Sequence, residues 1–472
     1  MTMQDSSSSS TASAAEKEAD LLYEKREKIY PRAVHGVFAR LRSSAATAML
    51  GLYFVQPWID LNGQQIVLFD LPARKFHIYG LTFWPQDFLF LAFILILLAF
   101  MLFFFTALAG RLWCGYACPQ TVWTEVYLWV ERKLEGTPNQ QRKLDKSPLT
   151  VKKAMLKSSK HFIWVLIAFI TAFTFVAYFS PAKELTRDLL VFSLNGWEFF
   201  WILFFTVATY VNAGWMREQV CKYMCPYARF QSAMFDDETL IISYDEKRGE
   251  PRGSRRSDVH VDYSKQELGD CINCTMCVQV CPTGIDIRDG LQYECIGCSA
   301  CIDVCDSVME KMSYPKGLIR YTTQNAMEGK KSRIIRPRIV IYFCILSLLS
   351  VLFLFSMLTR SEIDLNIIRD RNQLYRETQG FIENIYRLKL INMDDKAHEF
   401  VVTADGIENL VLMKDKEVII VEPGSMAELP VRLRARESNL DGQRTAVYFT
   451  LTAKDAEDMS IRQEAAFLGP LP

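Results

Sequence analysis

The chain has 472 residues, half of them hydrophobic, and its 54 lysines and arginines are matched by 54 aspartates and glutamates. A net charge of zero argues against a nucleic-acid binder held by phosphate neutralisation, and no basic, aromatic stacking platform takes its place. The averages conceal segregation: residues 88–109 carry no charge, whereas 236–336 are dense in Asp, Arg and Lys, so membrane and water-facing parts are expected in one polypeptide.

Residues 1–20 contain a serine run and lack an apolar stretch behind a basic start, so they read as a disordered tail without a cleavable signal. Arg26, Lys28, Arg32, Arg40 and Arg42, spaced by apolar residues, predict a short membrane-surface helix within a cytoplasmic tail over 1–42. Five apolar segments follow, near 43–59, 88–109, 162–180, 198–216 and 338–358, each close to the length a bilayer requires. The first four form a membrane region over 43–235, and the fifth occupies 337–360. Basic residues are concentrated in alternate loops (Arg132 to Lys160, Arg217 to Arg229, Lys330 to Arg338), which places the N-terminus in the cytoplasm and the C-terminus outside. Trp58, Trp84, Trp197 and Trp215 stand at segment ends, where interfacial aromatics belong. Asp87, at the head of the second segment, reads as an interfacial group rather than a proton relay.

After a charged stretch from Arg360 to Arg376, residues 361–472 alternate as EFVVTA, EVIIVE, AELPVRLRA and TAVYFTLTA between DG, DK and PG turns. This pattern predicts an antiparallel, immunoglobulin-like β-sandwich. It contains no cysteine, and a docking module is its plainest reading. The fold class expected for the whole is therefore a multi-domain membrane protein: five transmembrane helices, a cytoplasmic double-cluster ferredoxin domain over 236–336, and a C-terminal sandwich.

The ferredoxin assignment rests on cysteine spacing. Of 13 cysteines, 12 fall into four tight groups. Cys271, Cys274, Cys277 and Cys281 spell C-x2-C-x2-C-x3-C before Pro282, and Cys295, Cys298, Cys301 and Cys305 repeat it, with Asp306 in place of the proline. In this pattern the fourth cysteine serves the other cluster. One 4Fe-4S cluster is therefore assigned to Cys271, Cys274, Cys277 and Cys305, and the second to Cys295, Cys298, Cys301 and Cys281. Zinc would call for two pairs rather than two complete runs. Ile272, Ile296, Val278, Val280 and Ile302 are expected to pack around the clusters and exclude water.

The remaining groups, Cys114–Cys118 before Pro119 and Cys221–Cys225 before Pro226, are both C-x3-C-P at the cytoplasmic ends of expected spans. Read as helical i, i+4 pairs, with the proline ending the helix, they predict one four-thiolate site suited to Cu(I), zinc or an iron–sulfur cluster. A reversible dithiol and simple packing of small apolar residues are the other readings. His77 and His161 read as interfacial histidines, and Cys344, near Met357, as helix surface.

WCGYACPQTVWTE at 113–125, WMREQVCKYMCPYARFQ at 215–231, the two ferredoxin runs, the five spans and the sandwich together resemble the CcoG (FixG, RdxA) family of membrane iron–sulfur accessory proteins. The resemblance covers nearly the whole chain outside the serine-rich start. It implies a multi-pass protein of the bacterial inner membrane that reduces Cu(II) to Cu(I) for cbb-type cytochrome oxidase maturation. The partners implied are copper ion, copper chaperones or oxidase subunits, and a cytoplasmic electron donor; a homodimer is compatible with it. Related membrane ferredoxins share the C-x3-C-P and double-cluster elements, so a quinone-linked relay to another reductase and a non-catalytic assembly scaffold stand as alternatives.

Overall fold

The computed structural model describes residues 28–61, 63–255, 268–370, 374–378, 380–394, 396–440, 442–456 and 459–470. The serine-rich start, Arg26 and Pro472 lie outside the described residues. Two compact units emerge. One takes in the chain through Ile59 together with Leu98–Leu346, and the other Asp60–Leu97 with Ser347–Pro472.

Helices α1 (Val37–Val55), α2 (Phe88–Ala109), α3 (Leu112–Tyr116), α4 (Pro119–Glu135), α5 (Val151–Val176), α6 (Gly196–Thr209), α7 (Pro226–Ala233), α8 (Met276–Gln279), α9 (Ala300–Lys311) and α10 (Pro337–Leu358) follow one another along the chain. Among the described residues, four helices are long and apolar enough to cross a membrane: α2, α5, α6 with its extension to Met216, and α10. Such segments are helical because hydrocarbon offers no hydrogen-bond partner to an open backbone. Caps define two of their starts: Thr150 accepts from the Lys153 N–H, and Asn195 and Glu198 form a capping box. The third span differs from expectation, since α5 begins at Val151, inside the lysine-rich stretch. The fourth passes from α-helix to a π-helical turn over Tyr210–Met216.

The first expected span is not among the four. Its helix, α1, starts at Val37, carries Arg40, Arg42, Ser43 and Ser44 near its beginning, and ends before a 3-10 turn at Gln56–Trp58. No surface helix occupies 28–36. That segment finds its partners on the ferredoxin part instead: the Arg32 N–H donates to the Gln279 carbonyl, and Arg42 donates to the Cys298 carbonyl at 2.8 Å. Gly36 offers no side-chain cap to α1. The Asp303 carboxylate, from α9, accepts from the Phe38 and Ala39 N–H groups at 3.2 and 2.7 Å and fills that role.

The ferredoxin part is flanked by an antiparallel strand pair, Ile241–Tyr244 with Ile319–Thr322. Two small cores carry it. One gathers Ile242, Tyr244, Ile287, Ile302, Met309 and Leu318, and the other Val280, Ile296, Ala300 and Val304. Beside it, α4 and α5 are joined by buried charges. Lys160 stands 2.9 Å from Glu135 and 3.4 Å from Glu131, and Arg217 stands 2.8 Å from Glu131. The Trp164 ring lies under both cations.

In the second unit, strands β1 (Val67–Asp70), β2 (Lys75–Ile78) and β3 (Leu81–Phe83) form a small antiparallel sheet. Lys75 donates to the Gly424 carbonyl at 2.8 Å, and Arg360 pairs with Asp87 at 2.6 Å. Asp87 thus anchors structure, and Trp84, expected at an interface, is buried beneath Lys75. Strands β4 (Ile363–Arg369), β5 (Arg376–Thr378), β6 (Phe381–Asn392), β7 (His398–Asp405), β8 (Val411–Lys414), β9 (Ile419–Val421), β10 (Met426–Arg436), β11 (Arg444–Ala453) and β12 (Ser460–Leu468) build the sandwich. One sheet runs β8-β10-β6-β4, with β5 also on β6, and the other β9-β7-β11-β12. Leu388, Phe400, Leu433, Phe449 and Phe467 close the space between them. The stretch 360–376, expected as a charged lead-in, contains an edge strand of this domain.

Candidate iron–sulfur and thiolate site

The two ferredoxin runs share a backbone design as well as a spacing. Asn273 and Thr275 of the first have φ of 51° and 55°, and Gly297 and Ser299, at the equivalent positions of the second, have φ of 69° and 60°. Left-handed residues let a tight loop turn its N–H groups inward, forming a concavity for an anion. The donors are in place: the N–H groups of Val278, Gly297 and Ala300 bond the sulfurs of Cys277, Cys295 and Cys298. A helix follows each loop, α8 in the first run and α9 in the second.

The fold crosses the fourth cysteines over. Cys305 lies within electrostatic reach of Cys277, Cys274 and Cys271, whereas Cys301 neighbours Cys298, Cys295 and Cys281. A cavity is lined by Cys281, Cys295, Cys298 and Cys301 together with Cys277 of the first run, Ile242 and Ile285. Four sulfurs, inward N–H groups and an apolar surround are the donor set a 4Fe-4S cubane requires, so the residues fit that group. Asp306 is explained as well. It lies within α9, where proline would break the helix, and its carboxylate accepts from the Gly317 N–H at 2.9 Å.

The C-x3-C-P motifs depart from the expected helical pairs. Cys114 lies on α3, but Cys118 is extended and Pro119 opens α4. Cys221 lies in a π-helical turn over Val220–Met224, Cys225 is extended, and Pro226 opens α7. Each proline is therefore the first residue of a new helix, where its missing N–H costs nothing, rather than the end of an old one. Each cysteine pair straddles a break. The four thiols are still neighbours, Cys114 being within electrostatic reach of Cys118, Cys221 and Cys225. Among the described residues no three His, Cys, Asp or Glu side chains are close enough to share a single metal ion.

Both motifs border the second ferredoxin loop. Cys114 and Cys221 pack on the core that holds Cys298, and a Cβ on Gly115 would lie 2.6 Å from the Gly297 carbonyl oxygen. Arg111 ties the parts together: it is buried, bonds the Tyr293 carbonyl, and donates to the carbonyls of Cys295 at 2.9 Å and Ala228 at 2.5 Å. Gln231, fully buried on α7, accepts from the Cys114 thiol at 3.2 Å. Ser299, Tyr321 and Tyr116 form a hydroxyl chain across the same seam. Burial pushes the Cys114 and Cys221 thiols up to about 12, with the neighbouring thiols adding to the shift and Arg111 opposing it. Burial, with neighbouring thiols adding to it, raises Cys298 and Cys305 as far, Arg42 opposing the shift at Cys298. Loading these sulfurs therefore expels protons.

None of the lesser candidates joins this site. His77 faces Thr82, His161 bonds the Tyr210 hydroxyl at 2.9 Å, and Cys344 is exposed on α10. Sequence reasoning missed Arg111, Gly115, Gln231 and Asp303. Arg111 alone carried a signal, as the first charge after 23 uncharged residues.

A 4Fe-4S dicluster family matches residues 216–324, a 4Fe-4S binding family 91–137, and the Ig-like C-terminal fold of FixG 353–470. The nitrogen fixation protein FixG of Rhizobium meliloti is 37% identical over 82% of this chain and 80% of its own length. The chain belongs to the FixG/RdxA family. Protein RdxA of Cereibacter sphaeroides is 38% identical over 82% of this chain and 84% of its own. A crystal structure of a FixG-related protein from Vibrio parahaemolyticus covers 24% of this chain and all of that one, at 35% identity and a TM-score of 0.22. As a FixG/RdxA-type membrane protein with ferredoxin-type 4Fe-4S domains, the chain is an iron–sulfur electron-transfer protein.

Proposed function

We propose that this FixG/RdxA-family protein is a cupric reductase serving cbb-type oxidase maturation, with Cys114, Cys118, Cys221 and Cys225 as the copper-binding thiolates. The observation that supports it is the backbone contact between Gly115, inside the first C-x3-C-P motif, and Gly297–Cys298, inside the second ferredoxin loop. Bound 4Fe-4S clusters supply electrons one at a time, and one electron turns Cu(II) into Cu(I). Soft sulfur ligands favour the reduced ion and so draw the reaction forward. The chain supplies a seam, fixed by the buried Arg111, in which the four thiols are half-buried.

The test is Cys118→Ser with Cys225→Ser in the full-length protein. Copper binding and Cu(II) reduction should be lost while iron stays at about eight per chain; reduction at the full rate would sink the proposal. A second reading is favoured by the 4Fe-4S binding match over 91–137 and by the absence, among the described residues, of a single-ion grouping. On that reading the four cysteines hold a further cluster. Iron would then stand near twelve per chain and fall to about eight in the double variant.

Loop charge supports a cytoplasmic ferredoxin domain and an external sandwich, with a cytoplasmic N-terminus if α1 is also a crossing. Reporters fused after Ala300 and after Pro472 should then lie on opposite faces of the membrane. Finding both on one face would remove α10 from the crossings. Copper chaperones, oxidase subunits and a cytoplasmic donor are the partners this reading requires.

A further inference from the structure

Helices α1 and α4 enclose a cleft of about 1280 Å³ that reaches from the N-terminal segment to Cys221 and Cys298. The helices run antiparallel. Tyr53 and Phe54, at the end of α1, meet Trp123 near the start of α4, while Lys28, before α1, meets Glu131 near the end of α4. The cleft is consequently amphipathic. Arg32, Arg40, Arg42, Arg132 and Lys133 line one end; Leu50, Val122 and Val126 line the other.

Charge accounting points the same way. With Arg217, six cations line the cleft against Glu125 and Glu218. Arg132 is matched by Glu125 and Arg217 by Glu131. Among the described residues, Arg32, Arg40 and Lys133 make no ion pair, and all three are exposed. The apolar end lies where Tyr53 bonds the Thr171 carbonyl of α5, one of the helices long and apolar enough to cross a membrane. A soluble anion would use only the cationic end.

We infer that this cleft binds an anionic phospholipid, its phosphate between Arg40 and Lys133 and an acyl chain along Leu50, Val122 and Val126. Basic pockets between membrane helices recognise such headgroups through charge, and acyl chains gain by leaving water. Because Arg42 holds the Cys298 carbonyl and Asp303 caps α1, an occupied cleft would steady the seat of the second ferredoxin loop. The inference does not depend on whether the C-x3-C-P cysteines hold copper or a cluster.

The experiment compares wild type with Arg40→Gln plus Lys133→Gln, full length, in nanodiscs of phosphatidylcholine with and without phosphatidylglycerol, reading retained lipid by native mass spectrometry. Wild type should keep phosphatidylglycerol selectively, and the double variant should bind it about thirty-fold more weakly. Equal retention by both proteins would overturn the inference. Val126→Trp, which fills the apolar end, should also expel the lipid; if it does not, the chain lies elsewhere and the site is refuted. Inorganic phosphate or flavin mononucleotide is the other arm. Saturable binding of either that displaces the lipid and survives Val126→Trp would make this a site for a soluble ligand. Unchanged iron content verifies folding. If the double variant loses iron, Lys133→Gln alone, expected to weaken binding about five-fold, decides.

Discussion

The close approach of Gly115 to the second ferredoxin loop makes Gly115→Ala an informative substitution. An added Cβ would stand 2.6 Å from the Gly297 oxygen, 2.8 Å from its carbonyl carbon and 3.0 Å from the Cys298 nitrogen. All three are backbone atoms, so no side chain can swing away. Restoring ordinary contact at 3.4 Å requires α3 and the loop to part by about 0.8 Å, and overpacking of this kind costs about 1–3 kcal/mol. The expected outcome is earlier thermal loss of cluster absorbance. Under the proposed function, Cu(II) reduction should fall by roughly ten-fold to a hundred-fold, the penalty a misplacement near 1 Å can carry. Gly51→Ala is the control: nothing lies within 4 Å of its Cβ in α1, and alanine should stabilise that helix by about 0.5–1 kcal/mol. If Gly115→Ala matches wild type in cluster stability and in reduction rate, the contact does not couple the motif to the loop.

Removing the carboxylate of Glu131 by Glu131→Leu leaves Arg217 and Lys160 buried with one counter-charge fewer, and should cost about 3–5 kcal/mol, read as a drop in the midpoint of heat-induced helix loss. In the sandwich, His398 lies 2.7 Å from Asp394 and 2.8 Å from Asp455. Burial opposes its charge, but the two carboxylates prevail and raise its pKa above the usual 6.5. Its stabilising contribution is therefore complete below that value and is lost as pH rises through the raised one. Proteolytic susceptibility of residues 361–472 should climb on the alkaline side in wild type and stay level in His398→Gln. Thr275, β-branched in a left-handed conformation, is strained; Thr275→Asn should keep both clusters and slow their thermal loss, a gain of up to about 1 kcal/mol.

Much of this architecture is legible because its periods are strong. An uncharged run of 22 residues has one structural outcome, and β7, β10 and β11 announce themselves by alternation. The same rule should have found β4, where Ile363, Leu365 and Ile367 alternate, but the charges around that strand masked it, because an edge strand presents one face to water. The C-x3-C-P motifs misled for another reason. Spacing of four is the helical repeat, yet proline at the first position of a new helix leaves the second cysteine extended, and sequence spacing alone does not distinguish the two. Arg111, Gln231 and Asp303 act across more than a hundred residues of chain, and nothing local marks a side chain whose partner is that distant.

The cap on α1 has a consequence for biogenesis. Phe38 and Asp303 are 265 positions apart, so at about 5–20 residues per second the ribosome makes the helix roughly 13–53 s before its cap. During that interval the N-terminal strap, residues 28–42, lacks its Asp303 cap, and the cluster loops are still emerging. Iron insertion is therefore expected to precede closure of the strap over the ferredoxin part. Proteolysis of nascent chains arrested before and after residue 303 should show the strap cleaved in the first set and protected in the second. Early protection would mean that the strap docks before the lobe is complete.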